Sequence, residues 1–180
     1  MININCSNWL LAAQLFALLS LALASDINTY RIKNSIIITF IIAGLATNIV
    51  ISGLSGVVVS LLGILFPVLA LIILFALRML GAGDIKLFSA IGAVMGAGFV
   101  GYAMVYSFIY GGIIAIIIVA VRKNGKQRLA YLINYVKSCI LSHSLLPYSD
   151  FADKSDGGKF RFSYAILCGT LTQFFRLFDV

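Results

Sequence analysis

Glutamate is absent from this chain of 180 residues, and of its six aspartates only Asp26 and Asp84 fall within the first 149 positions. There is one histidine, His143, and the three cysteines, Cys6, Cys139 and Cys168, are far apart and form no Cys-x-x-Cys pair. A tetrahedral metal site needs clustered thiolates or imidazoles, and an EF-hand needs a terminal Glu, so metal binding is not expected. An odd number of dispersed thiols also argues against a disulfide framework. Charge is equally scarce, at 11% of residues, where a soluble domain carries about a quarter.

What fills the chain instead is apolar: 62% of residues are hydrophobic and the mean hydropathy is +1.08. Lipid rather than water is therefore the expected solvent. A spanning helix takes about 20 mostly apolar residues, and the runs 9–24, 35–51, 56–77, 85–94, 98–121 and 162–178 approach or meet that length. The expected fold is all-α and polytopic, with about six transmembrane helices in one membrane-embedded domain over 1–180. The fourth helix is short, and Gly96 and Gly98 mark a turn after it. Ala22-Leu23-Ala24 has the look of a signal-cleavage site, but residues 1–8 carry no Lys or Arg, so the first run is expected to be retained as a helix.

Basic residues set the topology. Arg31 and Lys33 follow the first run, Arg78 and Lys86 flank the break before the fourth, and Arg122, Lys123, Lys126, Arg128 and Lys137 follow the fifth. The alternate loops at 52–55 and 95–98 carry none. By the positive-inside rule the charged loops are cytoplasmic and both termini lie on the outer side. The net charge of +7 is thus expected to face anionic lipid headgroups, with no nucleic-acid partner.

This topology brings Asp26, at the end of the first helix, level with Asp84, at the start of the fourth, on the cytoplasmic side. An ionised, dry carboxylate costs roughly 2.5–3.5 kcal/mol at a helix centre and less toward the ends. Two carboxylates within a few ångströms share one proton, so one member can take a proton from water while the other donates to a carbonyl oxygen. Peptide hydrolysis at the membrane boundary is chemically reasonable for such a pair. Gly81 and Gly83, just before Asp84, remove side chains and allow an extended backbone to approach.

Gly81-Ala82-Gly83-Asp84-Ile85-Lys86-Leu87 resembles the GxGDxKL motif of type IV prepilin peptidases, the GxGD membrane aspartic proteases. Asp26, with Ile32 and Asn34 after it, resembles that family's first motif, an Asp followed after five residues by Ile-Pro-Asn. Order and spacing agree with the family, and the likeness runs from about Leu10 to Gly169. It is closest to the small, Tad-type branch, which lacks the cysteine-bearing amino-terminal extension, so methylation of the product is not implied. Lys33 replaces the usual proline of the first motif, and Arg161 stands near where many relatives carry another.

The resemblance implies a GxGD bundle in the inner membrane that cleaves the short basic leader from prepilin or pseudopilin precursors at the cytoplasmic face. It implies Asp26 and Asp84 as the catalytic pair, with Gly81, Gly83, Lys86 and Asn34 as motif support, and no cofactor. Assembly into a homo-oligomer is left open. Blander roles stand beside these. Asp26 paired with Arg31 at the headgroups, Asp84 capping a helix that begins at Ile85, Lys86 snorkelling, and Gly92 with Gly96 packing helices would each be ordinary. The loop 122–161 includes a basic amphipathic segment, 126–146, expected to lie on the inner leaflet. Asp150, Asp153 and Asp156 follow it, and His143 reads as a solvated loop residue. Rival functions are a proton- or ion-coupled carrier and a non-catalytic subunit of a pilus or secretion apparatus.

Overall fold

In lipid every backbone N–H and C=O must find its partner within the protein, which leaves helices or closed barrels as the spanning structures. The computed structural model describes residues 6–29, 31–77, 79–121 and 161–178, and these form helices with no strand among them. The helices are α1 (Cys6–Thr29), α2 (Asn34–Ser52), α3 (Leu54–Ala76), α4 (Ala82–Val121) and α5 (Phe162–Phe178). Among the described residues four stretches are long and apolar enough to cross a membrane: Trp9–Thr29, Asn34–Ser52, Leu54–Ala76 and Ala82–Ile118. The molecule is an all-α, multi-pass membrane protein. Segment 126–146, His143, Asp150, Asp153 and Asp156 lie outside the described residues.

The expected helices over 85–94 and 98–121 are joined in α4, whose 40 residues depart from helical geometry at Gly96 (φ 83°, ψ 170°). A straight helix of that length would reach about 60 Å, twice the hydrocarbon thickness. The aromatic contacts show that the chain instead turns back at Gly96. Phe88 and Phe108 both lie against Phe162, with ring centroids 6.5 and 5.5 Å away, whereas a continuous helix would separate them by about 30 Å. Contacts with α3 agree, since Gly92 abuts Gly63 before the turn and Gly101 faces Phe66 after it. Of the two expected turn glycines, only Gly96 leaves the helical conformation.

Carbonyls that end a helix need new donors. Just before Gly96, Asn48 Nδ2 donates to Ala93 O at 3.0 Å and Val94 O at 3.2 Å, and Ser60 Oγ donates to Ala93 O at 2.9 Å. The α2–α3 turn is made by Gly53, also at positive φ (59°). A side chain on Gly96 would meet Val59, early in α3, so the two turns occupy the same end of the bundle. The basic residues Arg31 and Lys33, with Asp26 and Asp84 in the neighbouring helix turns, occupy the other end.

Burial identifies the central element. Residues 87–94 are buried without a break, so the first arm of α4 is enclosed on all sides, touching α2 through Gly44, α3 through Gly63 and α5 through Phe162. Leu15, Leu18, Phe88, Ile91, Val100 and Ile166 complete a core closed to solvent. Val50, Leu54, Leu69 and Ile116 are exposed on the outside, where lipid tails replace the missing packing. The expected close packing by small residues holds at Gly92, where either glycine of the Gly63–Gly92 pair would drive a side chain into the other's backbone.

Candidate active site

Asp26 lies inside the last turn of α1, which runs on to Thr29 rather than stopping before it. Ser25, its neighbour, fixes the exit. The Ser25 hydroxyl donates to Arg31 O at 2.9 Å and accepts from the Lys33 amide at 3.3 Å, while Thr29 Oγ1 donates to Ser25 O and Arg31 O. Polar side chains near a helix terminus commonly take over orphaned backbone groups in this way. Here they bend the chain so that Ile32 and Asn34 return to the level of Asp26. Arg31 contributes to this clamp through its backbone carbonyl.

Asp84 is the third residue of α4, because the helix begins at Ala82 and not at Ile85. The Asp84 and Ile85 amides donate to Gly81 O at 3.2 and 3.4 Å, and the Gly81 amide donates to the Asp84 carboxyl. Only the half of a capping box in which a third-position acid reaches back to the residue before the helix is present, because Gly81 has no side chain and accepts through its backbone carbonyl. Asp84 therefore does not stand before a helix that begins at Ile85, as the expected cap would, but inside the first turn of a helix that begins at Ala82. A Cβ on Gly81 would stand 3.1 Å from Asp84 Oδ2, so a side chain there would push on the carboxyl. Gly83 meets only Ile32, at 4.0 Å, and neither glycine uses a positive φ. What these two glycines supply is the missing side chain rather than an unusual torsion.

The two aspartates come together. Asp26 lies close enough for its charge to act on the Asp84 carboxyl, with Asp26 buried and Asp84 half-buried. Lys86 Nζ donates to Asn34 Oδ1 at 3.0 Å, so the second motif is tied directly to the end of the first. Both of those side chains are exposed, at the rim of the site.

Ser163 was not among the expected site residues. It is the second residue of α5, is 4% exposed, and donates from Oγ to Asp26 Oδ2 at 2.6 Å. A serine early in a helix is too common to signal a site. Its only hint was its place at the start of the last helix, on the same end of the bundle as the acids. Ser25 was missed for a similar reason, although it adjoins Asp26.

An open, largely apolar groove of about 490 Å³ lies on the Gly81 side of Asp84, lined by Phe75, Ala76, Met79, Leu80, Gly81 and Ala82. Its wall includes the same glycine whose amide meets the Asp84 carboxyl. Among the described residues no cluster of three His, Cys, Asp or Glu side chains stands ready to hold a metal ion. Two neighbouring carboxyls, one anchored by a hydroxyl and one by an amide beside an open groove, can divide the roles of general acid and general base.

No curated protein and no solved structure matches the chain. The model of the type IV leader peptidase family does match, over residues 13–116, a stretch that holds most of α1, all of α2 and α3, both aspartates and most of α4, and this chain belongs to that family.

Proposed function

We propose that the protein is an aspartic endopeptidase that removes the short basic leader from type IV prepilin-like precursors at the cytoplasmic boundary of the membrane. The observation that carries this reading is the meeting of Asp26 and Asp84, from helices far apart in sequence, at the charged end of the bundle. One carboxylate accepts a proton from water as its oxygen attacks the scissile carbonyl carbon, and the other carboxyl gives its proton to the carbonyl oxygen. Collapse of the tetrahedral intermediate breaks the C–N bond. The leaving nitrogen takes the proton that came from water, the hydroxyl formed on the carbonyl oxygen returns its proton to the second carboxylate, and the pair is again singly protonated.

The bundle then makes six passes, with α4 counted as two, both termini outside and the charged end in the cytoplasm of a cell whose plasma membrane holds the protein. A precursor's apolar segment stays in lipid while its leader emerges among the headgroups, and the groove at Gly81 and Ala82 receives the chain around the cleaved bond. Lys86 and Asn34 hold the two motifs in register. Asp26 and Asp84 sit in terminal helix turns, which favours boundary hydrolysis over a carrier, whose ionisable groups lie near the midplane.

The test is cleavage of a prepilin from the same genome, in detergent and without a gradient, by the native protein and by Asp26→Asn and Asp84→Asn at equal expression. Cleavage by the native protein alone is the expected result. Cleavage that persists in either variant, with contaminating proteases removed, rejects the pair.

A further inference from the structure

We infer that Ser163 is a positioning residue for Asp26, holding that carboxylate to accept the proton of the attacking water. The inference rests on the reading of Asp26 and Asp84 as the catalytic pair. It concerns a residue beyond the stretch 13–116 that matches the family.

The first observation is where helix hydroxyls send their protons. Ser20, Ser89, Ser107 and Thr170 each donate to the carbonyl four residues earlier in their own helix, the usual fate of a hydroxyl on an apolar helix. Ser163 has no such outlet, because it is the second residue of α5 and the position four back lies before the helix begins. Its hydroxyl hydrogen is free to go elsewhere. It goes to Asp26 Oδ2 at 2.6 Å, within the short range of hydroxyl–carboxylate bonds, about 2.5–2.7 Å.

The second observation is burial on both sides. Ser163 is 4% exposed and Asp26 9%, so water has little room to replace the bond. A buried carboxyl oxygen needs a hydrogen-bond partner, and the Ser163 hydroxyl supplies one. The first turn of α5 also presents its positive dipole end to this region, which favours an anion there. With Oδ2 engaged, Oδ1 is the oxygen left to meet Asp84 and water.

The bond also fixes geometry. It ties α1 to α5 across 137 positions of sequence, while Phe16 and Phe174 pack edge to face at 5.0 Å farther along the same two helices. The aromatic pair aligns the helices, and the hydroxyl sets the carboxylate at their end. Removing the hydroxyl leaves the helices packed and the carboxylate free to rotate.

The test compares native protein, Ser163→Ala and Ser163→Thr in detergent, with full-length chains and a prepilin substrate, measuring kcat, KM and the unfolding temperature. Ser163→Ala is expected to lower kcat by about 10- to 100-fold, the loss typical when an orienting partner is removed. KM and the unfolding temperature should stay near native. Ser163→Thr, which keeps the donor, should recover kcat to within about threefold of native. A native kcat in Ser163→Ala, a loss that appears in KM instead, or a folded Ser163→Thr as slow as the Ala variant overturns the inference. Asp26→Asn and Asp84→Asn run alongside separate the two ideas: if both are inactive while Ser163→Ala is native, only the role of Ser163 fails.

Discussion

Lys86 Nζ donates to Asn34 Oδ1 at 3.0 Å across 52 positions of sequence, so the residue two past one aspartate is bonded to the residue eight past the other. Both side chains are exposed, and the bond adds little to global stability. Its consequence is local, because it joins the fifth residue of α4 to the first residue of α2 and ties the two motifs together.

Asn34→Ala and Lys86→Ala are each expected to reduce kcat/KM by about tenfold, the equivalent of one hydrogen bond to a charged group, near 1.5 kcal/mol. The double variant should lose no more than the weaker single variant. Independent, multiplying losses in a double-mutant cycle would show that the bond does not couple the motifs.

Gly81→Ala tests the approach of backbone to carboxyl. The added Cβ would sit 3.1 Å from Asp84 Oδ2, which displaces the carboxyl by a few tenths of an ångström without touching the core. Misplacement near a reacting group is costly in rate, and a loss of about tenfold or more in kcat is expected. Thermal unfolding should move little, and a native kcat would show that the carboxyl tolerates the shift.

Gly63→Ala and Gly92→Ala act on stability instead. Each new Cβ would press on the partner glycine's carbonyl, where only backbone can yield. Overpacking of this kind costs about 1–3 kcal/mol. Denaturation in mixed micelles should show that loss for both variants, and a stability equal to native would mean that α3 and α4 separate without cost.

Asn48→Ala removes donors from the carbonyls that end the first arm of α4, at Ala93 and Val94. Polar contacts inside a membrane protein contribute about 0.6 kcal/mol on average and up to about 1.7. Because one side chain serves two carbonyls and Ser60 as well, a loss at the upper end of that range is expected in the same denaturation assay. An unchanged stability would place new donors at the turn.

The proposed topology is testable by cysteine labelling. In a chain whose three natural cysteines are replaced by Ser, Asn28→Cys and Ser55→Cys offer exposed thiols at opposite ends of the bundle. An impermeant maleimide added to intact cells should label Ser55→Cys alone. The reverse pattern would put the aspartates outside the cell and reject cytoplasmic cleavage.

Composition and spacing made much of this protein legible. A chain with 11% charged residues has no choice of solvent, and backbone groups in lipid have no choice but internal hydrogen bonds, so membrane helices follow directly. The same scarcity picked out Asp26 and Asp84, because a carboxylate in an apolar chain is costly to keep without a function. Lys86 and Asn34 were visible only as motif positions, and their bond to each other was not.

Side-chain reach and helix ends were decided in three dimensions. The limit of α4 at Ala82, which converts Asp84 from a cap into a third-position acid, depends on a bond to Gly81 that spacing cannot show. The turn near Gly96 and Gly98 was legible in the sequence, but that Gly96 alone makes it and that the two arms of α4 meet at Phe162 was not. Local pattern determined the solvent, the helices and the two acids, since each follows from the chemistry of neighbouring residues. The tertiary structure alone decided that Ser163 meets Asp26, since a contact across 137 positions arises from how helices pack.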